Sequence, residues 1–281
     1  EEALARAYGS LDWANFMLGN DEPRMGGEAV EIFNRLGQVD RSAMTLNMMG
    51  AFAYLEGDWI GAVDWYERSV AAAESSGNAF HAANTRANIA EVLIGQRRPE
   101  DAIPLLEEAD RFFQASRSEL VKPFVDLQMA RAHACRGDVE RAIPELERLF
   151  AAQTAAGEGF PWPETVIALA DALIDAGLAA TALERLDQFE ATMPETASRL
   201  GPSTTRVRAR AAYHSGDLER ARELGVAALE AADGDLYAEL LALEALVEMS
   251  DGAGMQPDPV WTDRYTVLAT RLGVASTAGI T

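Results

Sequence analysis

The chain has 281 residues, of which 48% are hydrophobic and 25% charged, so it can bury a core and is not disordered by composition. Acidic residues outnumber basic ones by 45 to 24, and the net charge of −21 argues against nucleic acid or anionic membrane as a partner. A single cysteine, Cys135, excludes an internal disulfide and a thiolate zinc cage, which is typical of a cytoplasmic protein.

Helix formers dominate the sequence. It contains 52 alanines and 23 arginines but only one lysine, and aromatic residues make up 7%. No sustained alternation of β-branched and polar residues predicts a strand. No apolar stretch is long enough for a transmembrane helix, and residues 1–4 form no signal peptide, so we expect a soluble, all-α piece of a longer protein.

The first predicted element is a helical hairpin at the amino-terminal end. Its helices cover residues 3–18 and 27–37, and a long polar turn lies around residues 20–23. This hairpin, within residues 1–40, is less regular than those that follow and is expected to cap the structure.

Residues 41–234 repeat with a period of forty residues. Each second helix begins near an alanine, and these alanines lie 40, 40, 40 and 39 residues apart: Ala62, Ala102, Ala142, Ala182 and Ala221. Twelve residues before each lies another small residue: Gly50, Ala90, Ala130, Ala170 and Ala209. Five residues before each lies a position that is glycine in four of five cases: Gly57, Arg97, Gly137, Gly177 and Gly216.

Each period is typical of a helical hairpin. The small residues let two backbones approach, and the glycine can take the left-handed conformation that ends the first helix. Five such repeats predict a right-handed superhelical solenoid of antiparallel helix pairs, in which each hairpin contacts only its neighbours. Residues 1–273 are expected to form this single domain.

The last predicted hairpin, within residues 235–273, caps the other end. Its helices cover residues 236–249 and 259–272, and Asp258 and Pro259 form a good N-cap and first-turn pair. Residues 274–281 lack periodicity and are expected to form a flexible tail.

Two prolines conflict with this pattern. Pro104 and Pro144 each lie two residues after a repeated alanine, where a helix interior would lose a hydrogen bond at a cost of about 3 kcal/mol. We therefore expect the second helices of these two repeats to begin late or to kink.

The spacing of small residue, glycine and alanine resembles the tetratricopeptide repeat, in the forty-residue variant of kinesin light chains and bacterial signal-transduction ATPases. Residues 26–33, 50–59, 87–93 and 271–274 are similar, more narrowly, to the carboxy-terminal region of actinobacterial proteins that join a class III adenylate/guanylate cyclase to an ATPase module. The resemblance implies a non-catalytic protein-interaction domain within a bacterial signalling protein. Related ATPase-type transcriptional regulators imply an alternative, a sensor domain that encloses a small effector.

Catalytic, cofactor and metal sites are not predicted. Lys122, the only lysine, follows no glycine-rich loop, so no nucleotide-phosphate cradle is present. His81, His133 and His214 fall at different phases of the repeat and cannot converge on one metal.

A concave groove lined by the first helices remains as the candidate site, for a peptide, a partner protein or a sister domain of the parent chain. The polar residues beside each small landmark would line it: Asn47, Tyr54, Asn84, Glu91, Arg131, Asp171, Asp175, Arg206, Arg210 and His214. Arg206 and Arg210 share a helix face and suit a partner carboxylate. Alternatively, Arg206 and Arg210 pair with Asp171 and Asp175 of the preceding repeat. For Tyr54, the alternative to a ligand contact is a side chain that fills the rim of the groove.

Two further groups have both a chemical and a structural interpretation. Cys135 lies near His133, but burial is favoured over a nucleophilic pair. Sulfur and indole side chains cluster in the second repeat, where helical spacing favours a core over a cofactor box: Met44, Met48, Met49, Trp59 and Trp65.

Overall fold

The computed structural model describes residues 1–18, 20, 24–118, 121–232 and 234–275. Within these residues the chain forms fifteen α-helices and one short 3-10 helix, without a β-strand, which confirms the all-α prediction. The chain divides into two compact units, residues 1–128 and 129–281. The single domain over residues 1–273 stays a prediction.

Unit 1 is helical, and the boundary between the units falls within α7. The helices are α1 (Glu2–Leu18), α2 (Gly26–Arg35), α3 (Val39–Leu55), α4 (Trp59–Ser76), α5 (Ala79–Gly95), α6 (Pro99–Ser116) and α7 (Lys122–Cys135). The hairpin α1–α2 packs against α3–α4 through α2 and α3, and α3–α4 packs against α5–α6 through α4 and α5. Neighbour-only packing of this kind is the tetratricopeptide-like arrangement that the period predicts.

Unit 2 continues the pattern with one addition. Its helices are α8 (Val139–Ala156), α9 (Thr165–Asp175), α10 (Ala179–Thr192), α11 (Pro194–Arg199), α12 (Gly201–His214), α13 (Leu218–Ala231), α14 (Leu236–Gly252) and α15 (Pro259–Leu272). The short α11 is extra, and it is capped from outside, since the Glu158 carboxylate accepts hydrogen bonds from the backbone N–H groups of Glu195 (2.9 Å) and Thr196 (3.1 Å).

The repeated small residues lie where the helices approach. All five repeated alanines are at most 1% exposed. At Gly50, a Cβ atom would lie 2.6 Å from the ring of Tyr66 on α4, so α3 and α4 pack too closely there for any larger residue. The prediction of close backbone approach is confirmed.

The glycine register is confirmed in its conformation, even where the residue is not glycine. Gly57, Gly137, Gly177 and Gly216 all have φ between 77° and 85°, and Arg97 takes the same left-handed region at 61°. Positive φ angles also follow the second helices, at Gly37, Gly77, Arg117 and Gly157. From residue 37 to residue 177 the chain therefore reverses every twenty residues.

Arg117 offers a test of this backbone conformation. It is exposed and ends α6 with φ 51°, whereas Gly77 ends α4 with φ 78°. Because side chains disfavour the left-handed region, Arg117→Gly should raise the free energy of unfolding by about 0.5–1 kcal/mol in urea denaturation. The matched change Gly77→Ala should lower it by a similar amount, and a loss of stability in Arg117→Gly would contradict the argument.

The two internal prolines do not delay their helices. The helix α6 begins at Pro99 and α8 at Val139, so Pro104 and Pro144 lie inside them, and the expectation of a late start was wrong. Ala102 and Leu106, one on each side of Pro104, are fully buried, and this packing outweighs the lost hydrogen bond. The kink stays a prediction.

The chain ends follow the sequence predictions where they are described. Asp258 accepts a hydrogen bond from the backbone N–H of Val260 at 2.9 Å and caps α15, as predicted. Residues 21–23 of the predicted turn and residues 276–281 of the predicted tail lie outside the described residues.

Candidate interaction surface

Polar side chains bridge the first helices of neighbouring hairpins in unit 1. The helices α3 and α5 contact each other, and the Asn47 side-chain carbonyl accepts hydrogen bonds from Thr85 Oγ1 (3.1 Å) and Asn88 Nδ2 (3.0 Å). Asn84, one turn before Asn88 on the same helix, is partly exposed. We call these side chains, Asn47, Asn84, Thr85 and Asn88, the polar row. Two of them, Asn47 and Asn84, are predicted groove residues.

The same row continues toward the carboxyl ends of these helices. Glu91 on α5 is partly exposed and accepts a hydrogen bond from Gln128 Nε2 at 3.5 Å. Burial, together with the charge of Glu91, raises the pKa of Tyr66 above its usual value. The Tyr54 ring stacks on that of Trp59, with 5.4 Å between the ring centroids. Part of Tyr54 is exposed, as expected for a side chain that fills the rim of the groove.

In unit 2 four of the predicted charged residues form one ion-pair cluster: Asp171, Asp175, Arg206 and Arg210. Arg206 donates from Nη1 and Nη2 to the two carboxylate oxygens of Asp171, at 3.0 and 2.5 Å. Arg210 donates from Nη1 to Asp171 Oδ1 and from Nη2 to Asp175 Oδ1, both at 2.7 Å. The alternative interpretation from sequence, that the two arginines pair with the preceding repeat, is confirmed.

Electrostatics keep Asp171 and Arg210 ionised. Burial alone would raise the pKa of Asp171, but the charges of Arg206 and Arg210 outweigh it and hold that pKa below its usual value. Burial would likewise lower the pKa of Arg210, and the carboxylates of Asp171 and Asp175 raise it instead. Asp171 and Arg210 therefore both carry their charges at neutral pH.

The predicted residues of unit 2 differ in how much of each side chain a partner could reach. Arg206 is only 5% exposed, so it acts from beneath the surface. Arg131 on α7 and Arg210 on α12 are partly exposed, whereas Asp175 and His214 are exposed. The accessible surface of this part of unit 2 is polar and mixed in sign.

In the part of the chain that the structure describes, no group of His, Cys, Asp and Glu side chains could hold a metal ion. Across the described ranges no helix combines the length and apolar character needed to cross a bilayer.

Two expectations about cysteine and methionine need correction. Cys135 is exposed rather than buried, because it is the last residue of α7 and precedes an exposed turn. Met49 and Trp59 are buried as predicted, but Met44 is 59% exposed and Met48 only partly buried. These two methionines line an open cleft of about 590 Å³ between α1 and α3, which periodicity did not predict.

Two tetratricopeptide-repeat family models match parts of the chain. A tetratricopeptide-repeat model matches residues 41–115, and a second one matches residues 123–148, 163–188 and 202–224, together more than half of the chain. The chain belongs to the tetratricopeptide-repeat family. This tetratricopeptide-repeat chain is accordingly a protein-interaction domain, since stacked repeats of this kind provide extended binding surfaces.

A solved structure shows the same fold. A Rap protein complexed with Competence and Sporulation Factor has a TM-score of 0.59 at 11% identity, covering 86% of this chain and 76% of the Rap chain. TPR-like repeats of the kinesin light chain type from Podosopora anserina are 21% identical over 67% of this chain and 92% of theirs, with a TM-score of 0.44. A search of curated proteins found no match.

Proposed function

We propose that this tetratricopeptide-repeat domain binds an extended peptide, a partner protein or a sister domain of its own parent chain along the first helices. The observation that carries the proposal is the polar row, in which hydrogen-bonding side chains of successive first helices meet while the repeated alanines are buried. A row of this kind provides donors and acceptors that a peptide backbone can use. A Rap protein of the same fold was crystallised with Competence and Sporulation Factor, which is consistent with this role.

The contacts with the partner would come from residues whose side chains are at least partly exposed to solvent. In unit 1 these are Asn84, Glu91 and Tyr54, and in unit 2 they are Asp175 and His214. Because the surface of unit 2 is mixed in sign, with Asp175 beside Arg210, we expect partner segments that carry both signs rather than a uniformly basic sequence. Arg206 would support the surface by holding Asp171 in place.

The parent protein is proposed from the sequence resemblance. Residues 26–33, 50–59, 87–93 and 271–274 support a bacterial signalling protein in which this cytoplasmic domain regulates a class III cyclase or an ATPase module. The sequence preceding Glu1 in the full-length protein tests this directly. A cyclase or ATPase domain there would support the assignment, and any other domain would contradict it.

Site-specific photo-crosslinking tests the binding role. A photoreactive amino acid at Asn84 or His214 of the full-length protein, in its own cells, should yield several-fold more protein crosslinks than the same group at Glu67 or Glu230. The control residues are exposed on the second helices α4 and α13. Mass spectrometry of the crosslinked peptides would separate a partner protein from a sister domain.

Equal crosslinking at all four positions would contradict binding along the first helices. The sensor alternative makes a different demand, since a small effector needs an enclosed, aromatic-lined pocket. The volume found in unit 1 is an open cleft instead. Native mass spectrometry that showed a retained small molecule, without protein crosslinks, would favour the sensor.

A further inference from the structure

The cleft in unit 1 has an apolar lining that the packing leaves open to solvent. Its lining includes Phe33 of α2, Trp13 of α1, and Met44 and Met48 of α3. Trp13 is 54% exposed and Met44 59% exposed, whereas Phe33 is buried and closes the cleft from one side. Aromatic and methionine side chains adapt to varied apolar partners and contribute strongly to binding when they are covered.

The repeat explains why this space is unfilled. Forty residues after Met44 and Met48 lie Asn84 and Asn88, and there the facing helix supplies Asn47, which bonds to Asn88. At the first hairpin the facing helix supplies Gly9, whose missing Cβ would lie 3.6 Å from Met48 Cε. The cleft thus occupies the same place in the repeat as the polar row, with apolar walls and without a filling side chain.

Two arginines flank the cleft in a chain that is strongly acidic overall. Arg41 lines it and contacts the Glu2 carboxylate at 3.1 Å, in a pair whose side chains are 42% and 43% exposed. Arg6 also lines it and is exposed. An exposed pair such as Arg41 and Glu2 is worth little, so a partner carboxylate could replace Glu2 at small cost.

We infer that this cleft anchors a peptide segment of the partner, one that carries a large apolar side chain next to an acidic residue. The apolar side chain would cover Trp13, Met44 and Met48, and the carboxylate would meet Arg6 and Arg41. The inference rests on the proposed function, because it places the anchor at the amino-terminal end of the same surface along the first helices. It adds the chemistry of the partner, which the polar row alone does not specify.

A random library of twelve-residue peptides, displayed and selected on the whole chain, tests the inference. We expect enrichment of leucine, methionine or aromatic residues beside aspartate or glutamate. A selected peptide, labelled with a fluorophore, should bind less tightly as salt rises from 50 to 500 mM, because exposed charge pairs are screened. Fluorescence anisotropy measures its Kd.

Exposed positions allow variants that keep the fold. Met44→Glu and Arg6→Glu should each weaken the selected peptide about tenfold or more, since each removes a contact and repels its carboxylate. Ile60→Glu and Arg111→Glu change equally exposed residues of unit 1 outside the cleft and should leave Kd within about twofold. Circular dichroism confirms that each variant is folded.

The outcomes separate the two proposals. Selected peptides that lack acidic residues, or that bind Met44→Glu as tightly as the unchanged chain, would overturn the proposal that the cleft is the anchor. If such peptides lose binding to Asn84→Arg, the polar row still binds and the proposed function stands. If no peptide is enriched, the cleft proposal fails, and photo-crosslinking at Asn84 and His214 decides the proposed function separately.

Discussion

Replacing Asp171 with asparagine is expected to lower the free energy of unfolding by about 3–5 kcal/mol. The carboxylate accepts hydrogen bonds from both Arg206 and Arg210, and Arg206 is buried. Without the carboxylate, the Arg206 charge stays buried and uncompensated, which costs far more than the loss of an exposed pair. Urea unfolding, together with hydrogen exchange of the α9 and α12 amides, measures the effect.

The matched control is Asp175→Asn. Asp175 accepts a hydrogen bond from Arg210 Nη2 and is exposed, so its loss should cost no more than about 1 kcal/mol. Equal losses in the two variants would show that burial of Arg206 is not what makes Asp171 important.

The same cluster predicts a pH dependence. Folding lowers the pKa of Asp171, so its carboxylate stabilises the fold fully above its unfolded pKa near 4. This contribution is lost as the pH falls below about 4 and through the lower folded pKa. The stability difference between the unchanged chain and Asp171→Asn should therefore be constant from pH 5 to 7 and shrink below pH 4.

Gly50→Ala is expected to destabilise the chain by about 1–3 kcal/mol, the usual cost of overpacking. The added Cβ would meet the Tyr66 ring at 2.6 Å, and that ring is buried between helices and cannot move away without shifting α4. Thermal and urea unfolding measure the loss. Substituting the ring as well, in Gly50→Ala with Tyr66→Leu, should cost less than the two single changes added together.

Gly27→Ala serves as the control for Gly50→Ala. Gly27 lies in α2, and a Cβ atom there would have nothing within 4 Å. Alanine favours helix over glycine, so this change should be neutral or stabilise by up to about 1 kcal/mol. If Gly50→Ala behaved in the same way, close packing of α3 on α4 would not be what the repeat requires.

Much of the fold could be predicted because its determinants are local. Hairpin helices follow from apolar spacing, and the reversals follow from a residue that accepts positive φ; Arg97 shows that the position dictates this conformation even without glycine. Local rules failed at Pro104, where buried neighbours keep α6 continuous across a residue that disfavours helix. They also missed α11, whose first turn is capped by Glu158, 37 residues before Glu195.

The candidate surface was only partly predictable. Sequence spacing placed ten polar residues near the first helices but left open whether Arg206 and Arg210 bind a ligand or pair with Asp171 and Asp175. It also assigned Met44 to the core, although Met44 is exposed beside the cleft. Periodicity identifies the face of a helix, whereas the facing residue on the next helix decides whether that face is covered.

The sequence by itself determined the all-helical class, the forty-residue hairpin and the small residues at each close approach, because these depend on contacts within one hairpin or between successive ones. Only the tertiary structure decided which charges pair across 35 residues, which methionines stay exposed, and where an unfilled cleft remains. The physical reason is that these features depend on the distance and rotation between neighbouring helices, and packing sets both only after the hairpins have formed.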